Sequence, residues 1–150
     1  MRLALFEPEI AGNVGAVLRL GACFGCPVEL IEPMGFAWDD RRVRRTAMDY
    51  IDHVEVRRHA GFAAFARAVS PARLVLLTTR ADTSLFDTRF EPGDVLLFGK
   101  ESAGVPDAVR AACPLAARIP LRPAVRSFNL ATSAAIALAE ALRQTGGLPT

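Results

Sequence analysis

Short apolar segments typical of β-strands alternate with segments of helical spacing along the whole chain. The strand-like runs are LALF, VELI, VEV, LVLLTT and DVLLF. After the first run, Val14, Val17 and Leu18 fall on one face of a helix expected from about Asn13, and Gly25 supplies its stop. This alternation predicts an α/β fold, with a mostly parallel sheet flanked by helices. A length of 150 residues suits a single domain with one core.

The apolar runs and the cysteines limit the classes of protein that fit. No run approaches the roughly 20 residues that cross a bilayer, and the N-terminal MRLALFEPEI lacks the apolar stretch of a signal peptide. We therefore expect a cytoplasmic protein. Cys23, Cys26 and Cys113 make an odd count that fits reduced thiols. Because nothing completes a zinc site around the single Cys-x-x-Cys pair, we expect no metal and inert thiols.

The segment PEIAGNVGAVLRLG leads from a strand into a helix whose first turn contains Asn13 and Gly15. Unpaired N–H groups at such a helix start favour an anion. Arg19 lies one turn further on, and we expect its guanidinium to reach back over Gly15 toward that anion. Taken alone, the segment fits an ordinary capped helix with a solvated arginine better, since GNVG lacks the GxGxxG spacing.

The segment LLFGKESAGVP is a strand followed by a glycine loop, with a helix expected after Pro106. Loops at the carboxyl ends of parallel strands are the usual ligand sites of open α/β sheets. Gly99 and Gly104 would let a ligand approach the backbone, and Glu101 is a carboxylate at that edge. Lys100 does not complete a GxxxxGK phosphate loop. A ligand site and a tight strand-to-helix turn explain the segment equally well.

The segment IPLRPAVRSFNLATSAA concentrates two prolines, two arginines, a hydroxyl and an amide just before an alanine-rich helix expected over Asn129–Gln144. A helix entry needs only one capping side chain. The surplus of polar groups therefore favours a binding role, and its members are Pro120, Arg122, Pro123, Arg126, Ser127 and Asn129.

A second group of arginines lies in WDDRRVRRTAMDY, on a predicted helix. Its side chains could meet a nucleic-acid backbone. A solvated helix that pairs its own charges is the alternative, with Asp40 expected to pair with Arg44 at helical spacing. Trp38 and Tyr50 could stack on a base or fill the core.

Together the four segments resemble the SPOUT superfamily of RNA methyltransferases. Within it, they are most similar to the small single-domain tRNA 2′-O-methyltransferases that modify the wobble nucleotide of the anticodon. The resemblance covers nearly the whole chain in order and spacing. It implies a parallel α/β fold with a C-terminal trefoil knot, an obligate homodimer, S-adenosylmethionine as cofactor and tRNA as substrate. The implied reaction methylates the ribose 2′-hydroxyl of a cytidine or uridine.

The resemblance also assigns site residues by position. Its polar catalytic positions fall on Arg19, Asn13, Ser127, Asn129 and Glu101. Its cofactor positions fall on Leu77, Thr78, Thr79, Gly99, Glu101, Gly104, Ile119, Leu121, Ser127 and Leu130. The arginine-rich segments add Arg41, Arg42, Arg45, Arg122 and Arg126 as candidate RNA contacts.

Three residues depart from the family pattern. Val14 and Ala16 stand where the first motif, N-T-G-N, has threonine and its second asparagine, and Lys100 replaces the proline common in G-P-E. The polar contacts of the missing threonine and asparagine are therefore in doubt, but no residue assigned to chemistry is lost.

The implied reaction is a direct displacement by the ribose oxygen, without a metal or a covalent enzyme intermediate. Because a guanidinium stays protonated in proteins, we expect Arg19 to hold the adjacent phosphate rather than to act as a base. Glu101 would orient Arg19 or a donor group, and Ser127 and Asn129 would hold the nucleotide or the donor's carboxylate end. A non-catalytic RNA-binding protein and a Cys-x-x-Cys thiol oxidoreductase are the alternatives.

Overall fold

The computed structural model of the chain describes residues 1–150, apart from the side chain of Thr46. Within the described residues, the strands are β1 (Arg2–Phe6), β2 (Val28–Ile31), β3 (Val56–His59), β4 (Leu74–Leu77), β5 (Val95–Phe98) and β6 (Leu115–Ala117). The α-helices are α1 (Ala11–Phe24), α2 (Asp40–Ala47), α3 (Phe62–Val69), α4 (Asp107–Ala111) and α5 (Leu130–Thr145). Short 3-10 helices span Met48–His53 and Leu85–Asp87.

The strands form one sheet in the order β3-β2-β1-β5-β4-β6, and each neighbouring pair is parallel. Residues of β2, β4 and β5 are buried along their whole length. Helices cover both faces of such a sheet, which is why these runs are almost entirely apolar rather than alternating, with the buried Glu29 of β2 as the charged exception. The predicted parallel sheet flanked by helices is confirmed.

Two apolar layers hold the helices onto the sheet. On one face, Leu18 of α1 and Leu138 of α5 belong to a single buried cluster with Leu30 and Leu96 of the sheet. On the other face, Phe65 of α3 packs in a second cluster. The predicted apolar face of α1 is correct, since Val14, Val17, Leu18 and Gly21 are all buried.

The structure differs from the predicted strands at two places. The run VEV contributes only its last residue, because β3 begins at Val56 and continues through arginines to His59. The pattern does not predict β6 at all. It has three residues, two of them alanine, which is a weak strand former, and its pairing with β4 rather than its composition makes it a strand.

The ends of α1 and α5 lie close to the predicted positions. Helix α1 begins at Ala11, two residues before the expected start, and ends at Gly25, whose left-handed backbone (φ 66°) suits glycine. Helix α5 begins directly after Asn129, whose side-chain oxygen accepts hydrogen bonds from the N–H groups of Ala131 and Thr132.

The arginine-rich segment forms α2, as predicted, but its ion pair is different. Asp39 caps the helix, and Asp40 accepts a hydrogen bond from Nε1 of Trp38 at 2.8 Å. Arg44 pairs with Asp52 of the following 3-10 helix at 3.2 Å. The expected Asp40–Arg44 pair is therefore wrong, because both partners bind residues outside the helix.

The parallel arrangement brings several loops to the carboxyl edge of the sheet. After β6 the chain passes beside the loop that follows β4: the Arg118 N–H donates to Thr83 O at 2.9 Å and the Leu85 N–H donates to Arg118 O at 2.7 Å. It then enters α5, which packs against α1. The trefoil knot implied by the resemblance stays a prediction. Of the helices that the structure describes, none has the length and apolar character needed to cross a membrane.

Candidate functional site

A cavity of ≈ 520 Å³ lies at the carboxyl ends of β4 and β5, against the starts of α1 and α5. Its volume falls within the roughly 300–1,000 Å³ of small-molecule sites. The ten residues assigned to the cofactor by resemblance come from three separate loops, and all ten line this cavity: Leu77, Thr78, Thr79, Gly99, Glu101, Gly104, Ile119, Leu121, Ser127 and Leu130. Their contact with a cofactor stays a prediction.

The cavity has an apolar interior and free backbone groups on one wall. Buried Leu76, Phe98 and Leu130 form the interior. Within the described part of the chain, Ile119 and Leu121 make no backbone hydrogen bond. A ligand with a flat heterocycle could pair with these N–H and C=O groups while its faces contact the apolar side chains.

Glu101 ties the glycine loop to the start of α1. Its Oε2 accepts a hydrogen bond from the Glu9 N–H at 2.9 Å. Its Oε1 accepts from the Ile10 N–H at 3.2 Å and from Nδ2 of Asn13 at 3.1 Å. A carboxylate of the protein itself therefore lies just before α1, bonded to the N–H groups of Glu9 and Ile10 rather than to those of the first turn. Glu101 makes no contact with Arg19 of its own chain, and the expectation that it orients Arg19 or a donor group stays a prediction.

Two further contacts join the same loops. The Glu9 carboxylate accepts hydrogen bonds from the Ser102 hydroxyl at 2.8 Å and the Ser102 N–H at 2.9 Å, which lower the pKa of the Glu9 carboxyl. Nζ of Lys100 lies 2.7 Å from Oε2 of Glu7, and this contact raises the pKa of Lys100. Lys100 therefore fastens the loop by an ion pair. The sequence analysis missed Glu7, Glu9 and Ser102.

The two loop glycines have structural reasons of their own. A Cβ on Gly99 would lie 2.5 Å from the backbone carbonyl carbon of Gly104. Gly104 itself has φ +67°, a conformation that favours glycine. Lys100 and Gly104 exchange two backbone hydrogen bonds that close the loop, at 2.9 and 3.0 Å. The glycines therefore build the tight turn that shapes the cavity wall.

Asn13 and Asn129 connect the two helix starts. Nδ2 of Asn129 donates to Oδ1 of Asn13 at 2.9 Å, while Oδ1 of Asn129 caps α5. Both residues line the cavity, beside Ser127 and Arg126. Four of the five predicted catalytic positions, Asn13, Glu101, Ser127 and Asn129, therefore meet at one place.

Arg19 is the fifth, and it does not line the cavity of its own chain. Its guanidinium carbon lies 4.7 Å from the centre of the Tyr50 ring, and Nη1 lies 3.9 Å from Sδ of Met48. The expectation that Arg19 reaches back over Gly15 is wrong. Attraction between the cation and the ring holds the side chain against the 3-10 helix instead.

The candidate RNA-binding arginines are all exposed and fall in two places. Arg126 lines the cavity, and Arg122 lies in the same segment. Arg41, Arg42 and Arg45 are on α2. Among the described side chains, Arg41 and Arg45 have no ion-pair partner, so their charges are available to phosphates.

Two of the three thiols and the acidic groups offer little support for redox or metal chemistry, while the third thiol, Cys23, is exposed. Cys26 is buried, and burial raises its pKa. Burial also raises the pKa of Cys113 to about 11. Both shifts oppose formation of a reactive thiolate. Within the described residues, no three His, Cys, Asp or Glu side chains come together as a metal site.

Comparison with known proteins places this geometry in a family. The sequence profile described as "SpoU rRNA Methylase family" matches residues 1–139. The chain is 50% identical over 148 residues to a tRNA (cytidine(34)-2'-O)-methyltransferase of Beijerinckia indica subsp. indica, covering 97% of this chain and 92% of that protein.

Two solved structures are similar to the chain. One, described as "Structural insights into the 2-OH methylation of C/U34 on tRNA", has a TM-score of 0.91 and 42% identity over 95% of this chain and 94% of that one. An AdoMet-bound rRNA methyltransferase from Sinorhizobium meliloti has a TM-score of 0.86 and 25% identity over 95% of this chain and 55% of that one.

Proposed function

The chain belongs to the SpoU rRNA methylase family, and from that membership we propose that it methylates tRNA at a ribose 2′-hydroxyl, with S-adenosylmethionine as donor. The target is the wobble nucleotide, position 34, by analogy with the Beijerinckia relative, which is a tRNA (cytidine(34)-2'-O)-methyltransferase. Uridine 34 is a second proposed target, because a similar structure concerns C/U34. We place this activity in the cytoplasm and in one domain spanning the chain.

One observation carries the proposal: ten residues from three distant loops surround a single cavity, and four polar groups meet at its opening. The donor fits this cavity by chemistry. The free backbone groups of Ile119 and Leu121 would pair with its adenine, and buried Leu76 and Phe98 would contact the ring faces. When bound, the donor supplies a methyl group on a positively charged sulfur, which makes the methyl carbon open to displacement.

The protein's own residues then align the ribose. The cavity is lined by Asn13, Ser127 and Asn129. Their amides and hydroxyl would hold the 2′-hydroxyl in line with the methyl carbon. Because Asn13 and Asn129 are hydrogen-bonded to each other and to the helix starts, their positions are set before the substrate arrives. Such preorganisation is a main source of catalytic rate.

We propose that the phosphate next to the reacting ribose is held by Arg19 of a second subunit. Support comes from its position: Arg19 lies against Tyr50, away from the cavity of its own chain. A symmetric dimer can place one subunit's arginine at the other's cavity.

Subunit mixing tests the shared site. Arg19→Ala and Ser127→Ala proteins are each expected to be inactive. When they are unfolded together and refolded as a mixture, half of the dimers contain one of each, and one of the two sites in those dimers is intact. We expect about a quarter of wild-type activity to return. If the mixture stays inactive while the refolded wild type recovers, Arg19 does not act across subunits.

The reaction itself is tested with labelled donor and total tRNA from a strain that lacks the protein, followed by mass spectrometry of the modified nucleotide. We expect a 2′-O-methylated nucleotide at position 34. Methylation on a base, or no methylation, would contradict the proposal. Separate anticodon stem-loops carrying cytidine or uridine at that position decide whether both are substrates.

Arg41 and Arg45 would contact the tRNA backbone outside the cavity. Each phosphate contact adds to the salt dependence of binding, so Arg41→Ala should weaken tRNA binding and lower the slope of log K against log salt by about 1. Arg44→Ala is the matched control, because Arg44 is already paired with Asp52. Equal slopes for wild type, Arg41→Ala and Arg44→Ala would indicate that α2 is not part of the RNA-binding surface.

A further inference from the structure

Two exposed apolar side chains stand at the opening of the cavity. Of the large apolar side chains that are exposed in the described chain, Ile10 and Phe128 alone line the cavity. Ile10 is 51% exposed and Phe128 is 40% exposed, whereas Leu76 and Phe98 in the interior are 1% and 2% exposed. Neither Ile10 nor Phe128 contributes to a buried apolar cluster. Their apolar surface is therefore not explained by the core of this chain.

Both side chains are attached to fixed backbone. The Ile10 N–H donates to Glu101, and its carbonyl accepts from the first turn of α1. Phe128 immediately precedes Asn129, which caps α5 and is hydrogen-bonded to Asn13. Hydrogen bonds that hold both helix starts thus also fix the direction in which Ile10 and Phe128 leave the backbone. Side chains set on rigid elements are suited to precise positioning of a ligand.

The proposed reaction specifies what must lie beside these side chains. The base of a nucleotide is bonded to C1′, and C1′ is bonded to the carbon that carries the 2′-hydroxyl. The base is therefore only a few covalent bonds from the hydroxyl, and it must lie close to the residues that hold that hydroxyl. Phe128 lies in sequence between Ser127 and Asn129, the two residues proposed to hold it. An unpaired base readily stacks on an exposed aromatic ring, and the stacking tolerates any base.

We infer that Phe128 is the platform on which the base of the target nucleotide stacks, with Ile10 contacting the base from the other helix start. This inference rests on the proposed function. The donor's adenine is the less suitable partner, because Leu76 and Phe98, which are proposed to contact its ring faces, are 1% and 2% exposed, whereas Phe128 is 40% exposed. A second subunit at the ring is the other alternative, and the measurement of oligomeric state described below distinguishes it from base stacking.

The test compares four proteins: wild type, Phe128→Ala, Phe128→Tyr and Phe86→Ala. Phe86 is a matched control because it is also an exposed phenylalanine, at 58%, but does not line the cavity. For each protein, KM and kcat are measured with an anticodon stem-loop, the donor Kd by calorimetry and the oligomeric state by light scattering. Because Phe128 is exposed, its replacement should leave the fold intact.

We expect Phe128→Ala to raise the KM for the stem-loop about tenfold or more, with the donor Kd and the oligomeric state unchanged. Phe128→Tyr keeps the ring and should stay within about twofold of wild type, as should Phe86→Ala. An independent signal comes from Phe128→Trp in a Trp38→Phe background, which has one indole at the stacking position. Its fluorescence should be quenched by the stem-loop and not by S-adenosylhomocysteine.

Each other outcome overturns the inference in a distinct way. A KM for Phe128→Ala within about twofold of wild type would show that the target base does not stack on Phe128. If Phe128→Ala raises the donor Kd as much as the KM for the stem-loop, or if S-adenosylhomocysteine alone quenches the fluorescence, the ring contacts the donor. A change in oligomeric state assigns it to a subunit interface. If wild type itself methylates no tRNA, the proposed function fails and the inference falls with it, whereas an active wild type with an unaffected Phe128→Ala variant refutes the inference alone.

Discussion

Replacing Glu101 with alanine should destabilise the protein by about 2–4 kcal/mol, because one carboxylate holds three donors. It accepts from the Glu9 N–H at 2.9 Å, the Ile10 N–H at 3.2 Å and Nδ2 of Asn13 at 3.1 Å. A hydrogen bond to a charged group contributes roughly 1.5–3 kcal/mol. The bonds from Glu9 and Asn13 are partly buried, but the Ile10 bond is exposed and can be replaced by water. Partial access of water to the other two lowers their sum to the stated range.

Urea unfolding followed by circular dichroism measures the loss. The midpoint should fall while the slope m stays the same, since the surface exposed on unfolding does not change. Glu101→Gln keeps one acceptor oxygen but loses the charge, so we expect about half the effect. Ser102→Ala removes one exposed hydroxyl contact to Glu9 and should cost less than about 1 kcal/mol.

The same variants separate structural from chemical roles of Glu101. Because the carboxylate fixes the loop that lines the cavity, donor binding should weaken in the order Ser102→Ala, Glu101→Gln, Glu101→Ala. An alanine variant that unfolds within about 0.5 kcal/mol of wild type would refute the reasoning. Glu101 would then act in catalysis or not at all, and the connection between the loop and α1 would have to come from other contacts.

Three further expectations concern other parts of the chain. Gly99→Ala should cost about 1–3 kcal/mol in urea unfolding and abolish donor binding, because its Cβ would meet the Gly104 backbone at 2.5 Å. Hydrogen bonds from Arg143 lower the pKa of Glu140 from 4.5 to about 2, so its stabilisation is complete above pH 4.5 and lost as pH falls toward 2. The free energy of unfolding of the wild type should therefore exceed that of Glu140→Gln by about 1 kcal/mol at pH 7, and the difference should shrink as pH falls through about 2. Cys113, with a pKa of about 11, should resist iodoacetamide at pH 8 in the folded protein and react after unfolding, as mass spectrometry of the peptides would establish.

The sequence alone predicts most of the fold, because buried parallel strands and one-sided helices leave strong periodic patterns. The four long buried runs and the stop at Gly25 all appear where those patterns place them. Strand β6 could not be predicted in this way. It is held by pairing with β4, and residues 115–117 carry no strand signal of their own.

The site was predicted less completely, for a different physical reason. Motif positions located the three loops around the cavity, since each loop is a contiguous segment of sequence. Contacts between the loops have no such signal: Ser102 and Glu9 are 93 positions apart, and both are ordinary surface residue types. The direction of Arg19 was wrong for the same reason, because the Tyr50 ring that attracts it lies on another element.

The carboxylate of Glu101 beside the start of α1 affects where the phosphates of a bound tRNA can be neutralised. In the sequence, the first turn of α1 was one candidate place for an anion, and in the structure the carboxylate of Glu101 lies just before it, bonded to the N–H groups of Glu9 and Ile10. A second anion there would be repelled by the first. Phosphates of a bound tRNA must therefore meet cations elsewhere. Among the candidate RNA-binding arginines, Arg126 is the one that lines the cavity. It is adjacent in sequence to Ser127, one of the polar residues proposed to hold the ribose. Arg19 of a second subunit and the unpaired arginines of α2 would add to the positive charge that Arg80, Lys100 and Arg126 already give the cavity.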